Sequence, residues 1–226
     1  MAKRYTADHP AMIVLVDDHD IVRRGLTMLI DAEENLKVCA GFSTAHEALK
    51  YIDKSPPDLA IIDITLQDRS GLELVKDLKV RDPELPILML SMHDEGLYAE
   101  RALRAGARGY LMKEEPGPKV IEGIRAVLAG RIFVSEAMAS KMLNVIVGGK
   151  PDADASPLSR LTDRELEVYD LIGHGVTTRE VADRLSLSIK TIESYRANIK
   201  DKLGLKNAVE LVQHAIQWVQ SGEGRE

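Results

Sequence analysis

Leu59-Ala60-Ile61-Ile62-Asp63 is an apolar run that stops on an acid, and the chain repeats this design. Met12-Ile13-Val14-Leu15-Val16 stops at Asp17-Asp18, Ile87-Leu88-Met89-Leu90 at Ser91, and Gly109-Tyr110-Leu111-Met112 at Lys113. Short apolar runs of this kind read as strands buried on both faces, the mark of a parallel sheet. If the strands lie parallel, three carboxylates, a hydroxyl and an ammonium meet at one sheet edge.

Working outward, strand patterns at 11–16, 36–41, 58–63, 86–91 and 108–112 alternate with helical patterns near 20–31, 44–54, 70–80, 95–105 and 117–130. Thr44 with Glu47 and Ser70 with Glu73 have the spacing of capping boxes, in which the hydroxyl accepts from the third helical N–H while the Glu reaches back. Five strands, each followed by a helix, predict a doubly wound α/β unit whose ligands bind at the carboxyl ends of the strands.

The acids there suit one kind of chemistry. Clustered carboxylates repel an incoming phosphate unless a hard cation intervenes, and Mg²⁺ takes such oxygen ligands. Asp63 is assigned as nucleophile and metal ligand, Asp18 as direct ligand, Asp17 as ligand through water, and the backbone carbonyl of Thr65 as a further donor. Lys113 is the partner of the phosphoryl oxygens.

Beyond this unit, Gly148-Gly149-Lys150-Pro151 and the small polar residues up to Pro157 signal an exposed connector, with a short apolar stretch (Ala137 to Val147) before it. From Leu161 onward strand signals vanish. Four helices fit, near 163–173, 178–185, 189–203 and 207–219, with capping boxes at Thr162/Glu165 and Thr177/Glu180. Ser188 is the expected N-cap of the third and Gly204 its left-handed terminator. A short helix, a tight turn and a polar-faced helix follow the helix-turn-helix plan, in which the second helix enters the major groove. A plain helical bundle with a solvated charged face fits the pattern equally well.

Composition narrows the choices. The net charge is −6; residues 1–150 hold 20 Lys+Arg against 23 Asp+Glu, and the remainder 10 against 13. Indiscriminate nucleic-acid binding is therefore not expected. From Lys190 to Lys206, however, five cations face two acids, a local patch. The single Cys39 allows no internal disulfide and suits a reducing compartment. No apolar stretch approaches the ~18 residues that span a membrane, and no apolar core follows the basic pair at the N-terminus, so a cytoplasmic protein without a signal peptide is expected.

Residues 11–130 resemble the receiver domain of two-component response regulators, through Val16-Asp17-Asp18-His19, Ile61-Ile62-Asp63, Leu90-Ser91 and Gly109-Tyr110-Leu111-Met112-Lys113. The resemblance implies a flavodoxin-like strand order and phosphorylation of Asp63 by a histidine kinase. It also implies a switch in which Ser91 turns to the phosphoryl group and Tyr110 rotates inward. Gln67 departs from the family pattern, which often has Pro there; this bears on phosphoryl lifetime.

Leu161-Thr162-Asp163-Arg164-Glu165-Leu166-Glu167-Val168, Gly175 to Ala182, Ser188 to Arg196 and Lys202-Leu203-Gly204 resemble the LuxR-type helix-turn-helix output domain. Together the two resemblances identify the chain as similar to NarL/FixJ-type response regulators. The expected layout is a receiver at 10–131, a linker with a short helix at 132–157 and a DNA-binding domain at 158–221. Base-facing positions then map to Glu193, Ser194 and Ala197, and backbone contacts to Thr178, Lys190, Thr191, Arg196 and Lys200. Expected partners are a sensor histidine kinase, double-stranded DNA and a second copy of the chain, with no membrane. An Asp-based phosphohydrolase is disfavoured, because the position two residues after Asp63, where it needs a second acid, is Thr65. A receiver that is never phosphorylated is disfavoured too, since like charges packed without use cost stability.

Overall fold

The computed structural model describes residues 5–92, 95–146 and 157–220. The chain divides into two compact units after Ser135. The first contains β1 (Ala11–Val16), α1 (Asp20–Asp31), β2 (Leu36–Phe42), α2 (Ala45–Ile52), β3 (Leu59–Ile62), α3 (Gly71–Arg81), β4 (Ile87–Ser91), α4 (Glu95–Ala105), β5 (Gly109–Met112) and α5 (Gly117–Leu128). All strand pairs are parallel and the order is β2-β1-β3-β4-β5. The flavodoxin-like order is therefore present.

Period-two alternation divides the sheet's side chains. Ile13, Leu15, Leu59, Ile61, Leu88, Leu90 and Leu111 pack with Leu26 and Ile30 of α1 and Val120, Ile124 and Val127 of α5. Their neighbours Val14, Ala60, Ile62, Met89 and Tyr110 are buried on the opposite side. Burial on both faces is why these strands read as unbroken apolar runs, and each large side chain contributes about 1.5–3 kcal/mol.

Two helix starts differ from the simple capping box. The Ser70 hydroxyl accepts from Leu72 N, not from Glu73 N. At α2, Thr44 accepts from Glu47 N, but the first helical N–H groups, on Ala45 and His46, donate to Asp68 at 2.8 and 2.9 Å. That acid comes from the loop after β3, so α2 is capped by a distant part of the chain.

The chain stays on the sheet after α5. Phe133 bridges Gly109, accepting from Tyr110 N and donating to Arg108 O, and Ser135 N donates to Glu95. Residues 147–156, most of the expected connector, lie outside the described residues.

The second unit begins with α6 (Glu136–Ile146), and a 3₁₀ turn at Pro157–Arg160 precedes α7 (Asp163–Gly173), α8 (Thr178–Arg184), α9 (Ile189–Leu203) and α10 (Ala208–Gln220). Both expected capping boxes, at Thr162/Glu165 and Thr177/Glu180, are formed. Helix α7 is buried nearly all round, its charges included. Arg164 pairs with Glu167 at 2.6 Å and also donates to Leu185 O at the end of α8. Lys202 of α9 pairs with Glu165 at 2.5 Å. Buried charges survive only when so partnered.

Candidate functional site

The sheet delivers its polar ends to one place. Asp63 N donates to Val16 O at 2.8 Å, and Lys113 N donates to Ser91 O at the same length, so ladder-like hydrogen bonds continue just past the strands. The Lys113 ammonium then lies 2.6 Å from both Asp63 Oδ2 and Asp17 Oδ2. Asp17 and Asp63 are 3% and 4% exposed, so this is a buried ion triad rather than a surface pairing. Burial pushes the Lys113 amine down, but the charges of Asp63 and Asp17 more than offset it, and the net shift is upward. The lysine is therefore held as a cation.

Asp63 Oδ1 accepts from Ile64 N at 2.7 Å, which fixes the carboxylate against its own backbone. Asp17 Oδ1 accepts from His19 N at 2.8 Å. Asp18 is pushed above the ordinary carboxyl range, first by burial and then by the Asp17 charge, with His19 and Lys113 opposing. His19 Nδ1 is 2.6 Å from Asp18 Oδ1, yet that buried oxygen has no hydrogen bond of good geometry. One atom each from Asp17, Asp18, His19 and Asp63 lies within 4.8 Å of the others. A buried, poorly satisfied oxygen inside a carboxylate-rich donor set fits a small hard cation.

The loop after β3 brings Thr65 into a bridge with Ser70 and packs Ile64 and Leu66 fully inside, while Gln67 and Asp68 face outward. Gly71 opens α3 against the end of β3: a Cβ there would sit 1.8 Å from the Asp63 carbonyl oxygen. Ser91 and Tyr110 are both fully buried. The ring expected to rotate inward on phosphorylation is thus already inside.

In the second unit α9 carries the expected polar surface. Ser188 caps it through Thr191 N, and Gly204 closes it at φ 69°. Ile192 and Ile199 are buried, Tyr195 and Leu203 half-buried. Lys190, Glu193, Ser194 and Ala197 are exposed, whereas Thr178, Thr191, Arg196 and Lys200 are half-buried. Ser194 Oγ donates back to Lys190 O, and Arg196 Nε stands 3.9 Å from Glu193. The turn between α8 and α9 places the non-glycine Ser186 at φ 52°.

Sequence reasoning gave no role to His19, Arg23 or Gly71. Arg23 reaches the backbone of the acidic pair, donating from Nη1 to Asp17 O at 2.5 Å. A glycine opening a helix was a legible sign of close approach. Nothing local marked Arg23, whose acceptor is a main-chain oxygen.

Comparison with known proteins agrees with the two-unit architecture. Residues 13–125 match the response regulator receiver domain family, and residues 159–215 match the bacterial regulatory proteins of the luxR family. The oxygen regulatory protein NreC of Staphylococcus haemolyticus is 34% identical over 209 residues, 91% of this chain and 96% of that protein. NreC of Staphylococcus aureus is 33% identical over the same span. Among solved structures, a LuxR-family two-component response regulator from Aurantimonas is 34% identical, with TM-score 0.57 over 61% of this chain and 99% of that one. RcsB of Salmonella enterica bound to a promoter with a BeF₃⁻ phosphomimetic is similar in fold, with TM-score 0.61, 24% identity, and coverage of 91% and 98%.

Proposed function

We propose a residue-level mechanism from the premise that this chain belongs to the response regulators that join a receiver domain to a LuxR-type DNA-binding domain. Such a chain is a phosphorylation-dependent DNA-binding transcription regulator. In our reading Asp63 is the phosphoacceptor. The observation that supports this most is the buried Lys113 ammonium set between Asp63 and Asp17.

The chemistry follows from the charges. A carboxylate oxygen of Asp63 attacks the phosphorus of a phosphohistidine on a sensor kinase. The new O–P bond forms as the P–N bond breaks, and the imidazole leaves with the electron pair and takes up a proton. Asp18 directly, Asp17 through water, Asp63, and Thr65 through its carbonyl would hold Mg²⁺. When bound, that ion neutralises the acids and the transferring oxygens. Lys113 donates to the phosphoryl oxygens, and Ser91 supplies a hydroxyl to them. Tyr110 takes its inward position in the activated state, so phosphorylation biases an existing equilibrium rather than creating a new one. With Thr65 in place of a second acid, the chain does not turn over phosphomonoesters as an enzyme.

The output is DNA binding through α9. Glu193, Ser194 and Ala197 face base edges, and Thr178, Lys190, Thr191, Arg196 and Lys200 meet the phosphates. One four-helix module grips weakly, so two copies of the chain bind adjacent half-sites. Among the described residues no helix is long and apolar enough to cross a membrane, and we place the work of the protein in the cytoplasm. The decisive experiment is a footprinting titration with kinase and Mg²⁺. Asp63→Asn should bind DNA no better than unphosphorylated wild type. Equal affinity of Asp63→Asn and phosphorylated wild type would refute control through Asp63.

A further inference from the structure

The geometry points to Arg23 as a positioning residue for the Asp17-Asp18 pair, an inference that rests on the cation-binding role proposed for that pair. Arg23 lies in the first turns of α1, six residues beyond the acid whose backbone it holds. Its Nη1 donates to Asp17 O at 2.5 Å, and its Nη2 donates to Asp20 at 3.0 Å. The side chain is only 19% exposed, and its Cδ would lie 3.7 Å from a Cβ built on Gly41 of the neighbouring strand.

What Arg23 grips matters more than that it grips. The Asp17 carbonyl belongs to the peptide plane that joins Asp17 to Asp18. Holding that oxygen fixes the last torsion of Asp17 and the first of Asp18 together. It therefore sets where both carboxylates point. Asp17 is steadied at its side chain as well, by Lys113 and by His19 N. Among the described residues Asp18 is held less firmly: its Oδ1 meets only the poorly aligned His19, and the carboxylate's backbone hydrogen bond comes from its own N–H, part of the same peptide that Arg23 holds. The orientation of Asp18 thus depends on the peptide that Arg23 holds.

A guanidinium suits this task, because its fork serves the carbonyl and the Asp20 carboxylate at once, which a lysine cannot do with the same geometry. Its charge argues the other way. A cation near a metal site repels Mg²⁺, so electrostatics alone would make the site bind metal better without Arg23. The two roles therefore predict opposite signs.

The test uses the full-length, unphosphorylated chain and Mn²⁺ as the probe, with the electron paramagnetic resonance signal of the free ion as readout. Arg23→Ala should weaken Mn²⁺ binding about tenfold, the loss typical of outer-shell partners of metal ligands. Arg23→Lys, which keeps the charge, should weaken it as well, by a smaller factor. Circular dichroism shows whether each variant is folded, and Arg23→Lys decides the matter if Arg23→Ala is not. Unchanged or tighter Mn²⁺ binding by the folded variants would overturn the positioning role while leaving the acidic pocket intact. If wild type itself takes up no Mn²⁺ at millimolar concentration, the pocket reading fails and the inference with it.

Discussion

Gly71 shows how one absent side chain holds the site together. The first residue of α3 lies so close to the end of β3 that a methyl group would sit inside the Asp63 carbonyl oxygen, and Gly71 N donates to Ile64 O at 2.6 Å. Backbone, not a flexible tip, is what would have to move. Gly71→Ala should cost about 1–3 kcal/mol of receiver stability and slow phosphorylation of Asp63 well beyond what that loss explains. Urea unfolding and label uptake from acetyl phosphate, run side by side, check this; wild-type uptake by a destabilised variant would remove the positional part. The other residue-scale feature is the electrostatic arrangement. That Asp17, Asp63 and Lys113 meet could be read from where apolar runs stop, because strand ends of a parallel sheet converge. Contacts from side chain to backbone, such as Arg23 to the Asp17 carbonyl, could not, since one main-chain oxygen is like any other until the chain has folded.

At the scale of elements, the helices and strands were legible because their periods are strong and both sheet faces are buried. What the local sequence hides is capping from a distance. Thr44 and Glu47 look like a self-sufficient box, yet the first N–H groups of α2 belong to Asp68, 23 and 22 residues away. That acid sits beside Gln67, and it ties down the loop after β3. In the second unit, the tie between α7 and α9 carries a pH signature. Burial alone would push the Glu165 carboxyl up, but the Lys202 and Thr162 hydrogen bonds outweigh it and hold the group below its ordinary 4.5. A lowered carboxyl stabilises the fold above that ordinary value and loses the contribution as pH falls through the folded-state value. Melting curves between pH 6 and 3 should therefore show a steeper acid loss for wild type than for Glu165→Gln. Parallel curves would mean that the pairing contributes nothing to acid stability.

For the whole molecule, the contrast is between net charge and local charge. An acidic chain of net −6 must bind DNA, as its family does, through a patch that its own field opposes. In the proposed interface Arg196 and Lys200 belong to that patch. Their double replacement by Ala should weaken binding to all sequences alike and flatten the log–log salt dependence by about two units, near 0.9 per lost phosphate contact. Fluorescence anisotropy from 50 to 200 mM salt, a range chosen for that slope, reads this out, and an unaltered slope would take both residues out of the interface. In the first unit, the lysine shared by two acids has a consequence of its own. An ammonium has only three protons to give. Lys113 already commits its head to carboxylates that follow directly on the first and third strands, and it follows directly on the strand that carries Tyr110. A phosphoryl oxygen added to Asp63 would draw on the same three protons, and one that takes more than the single proton left over would loosen the hold on Asp17. In the mechanism proposed above, such a rivalry among acceptors a few ångströms apart would pull on the far edge of the sheet, where the strand that Lys113 follows lies, and so let a local bond be felt as a change of shape.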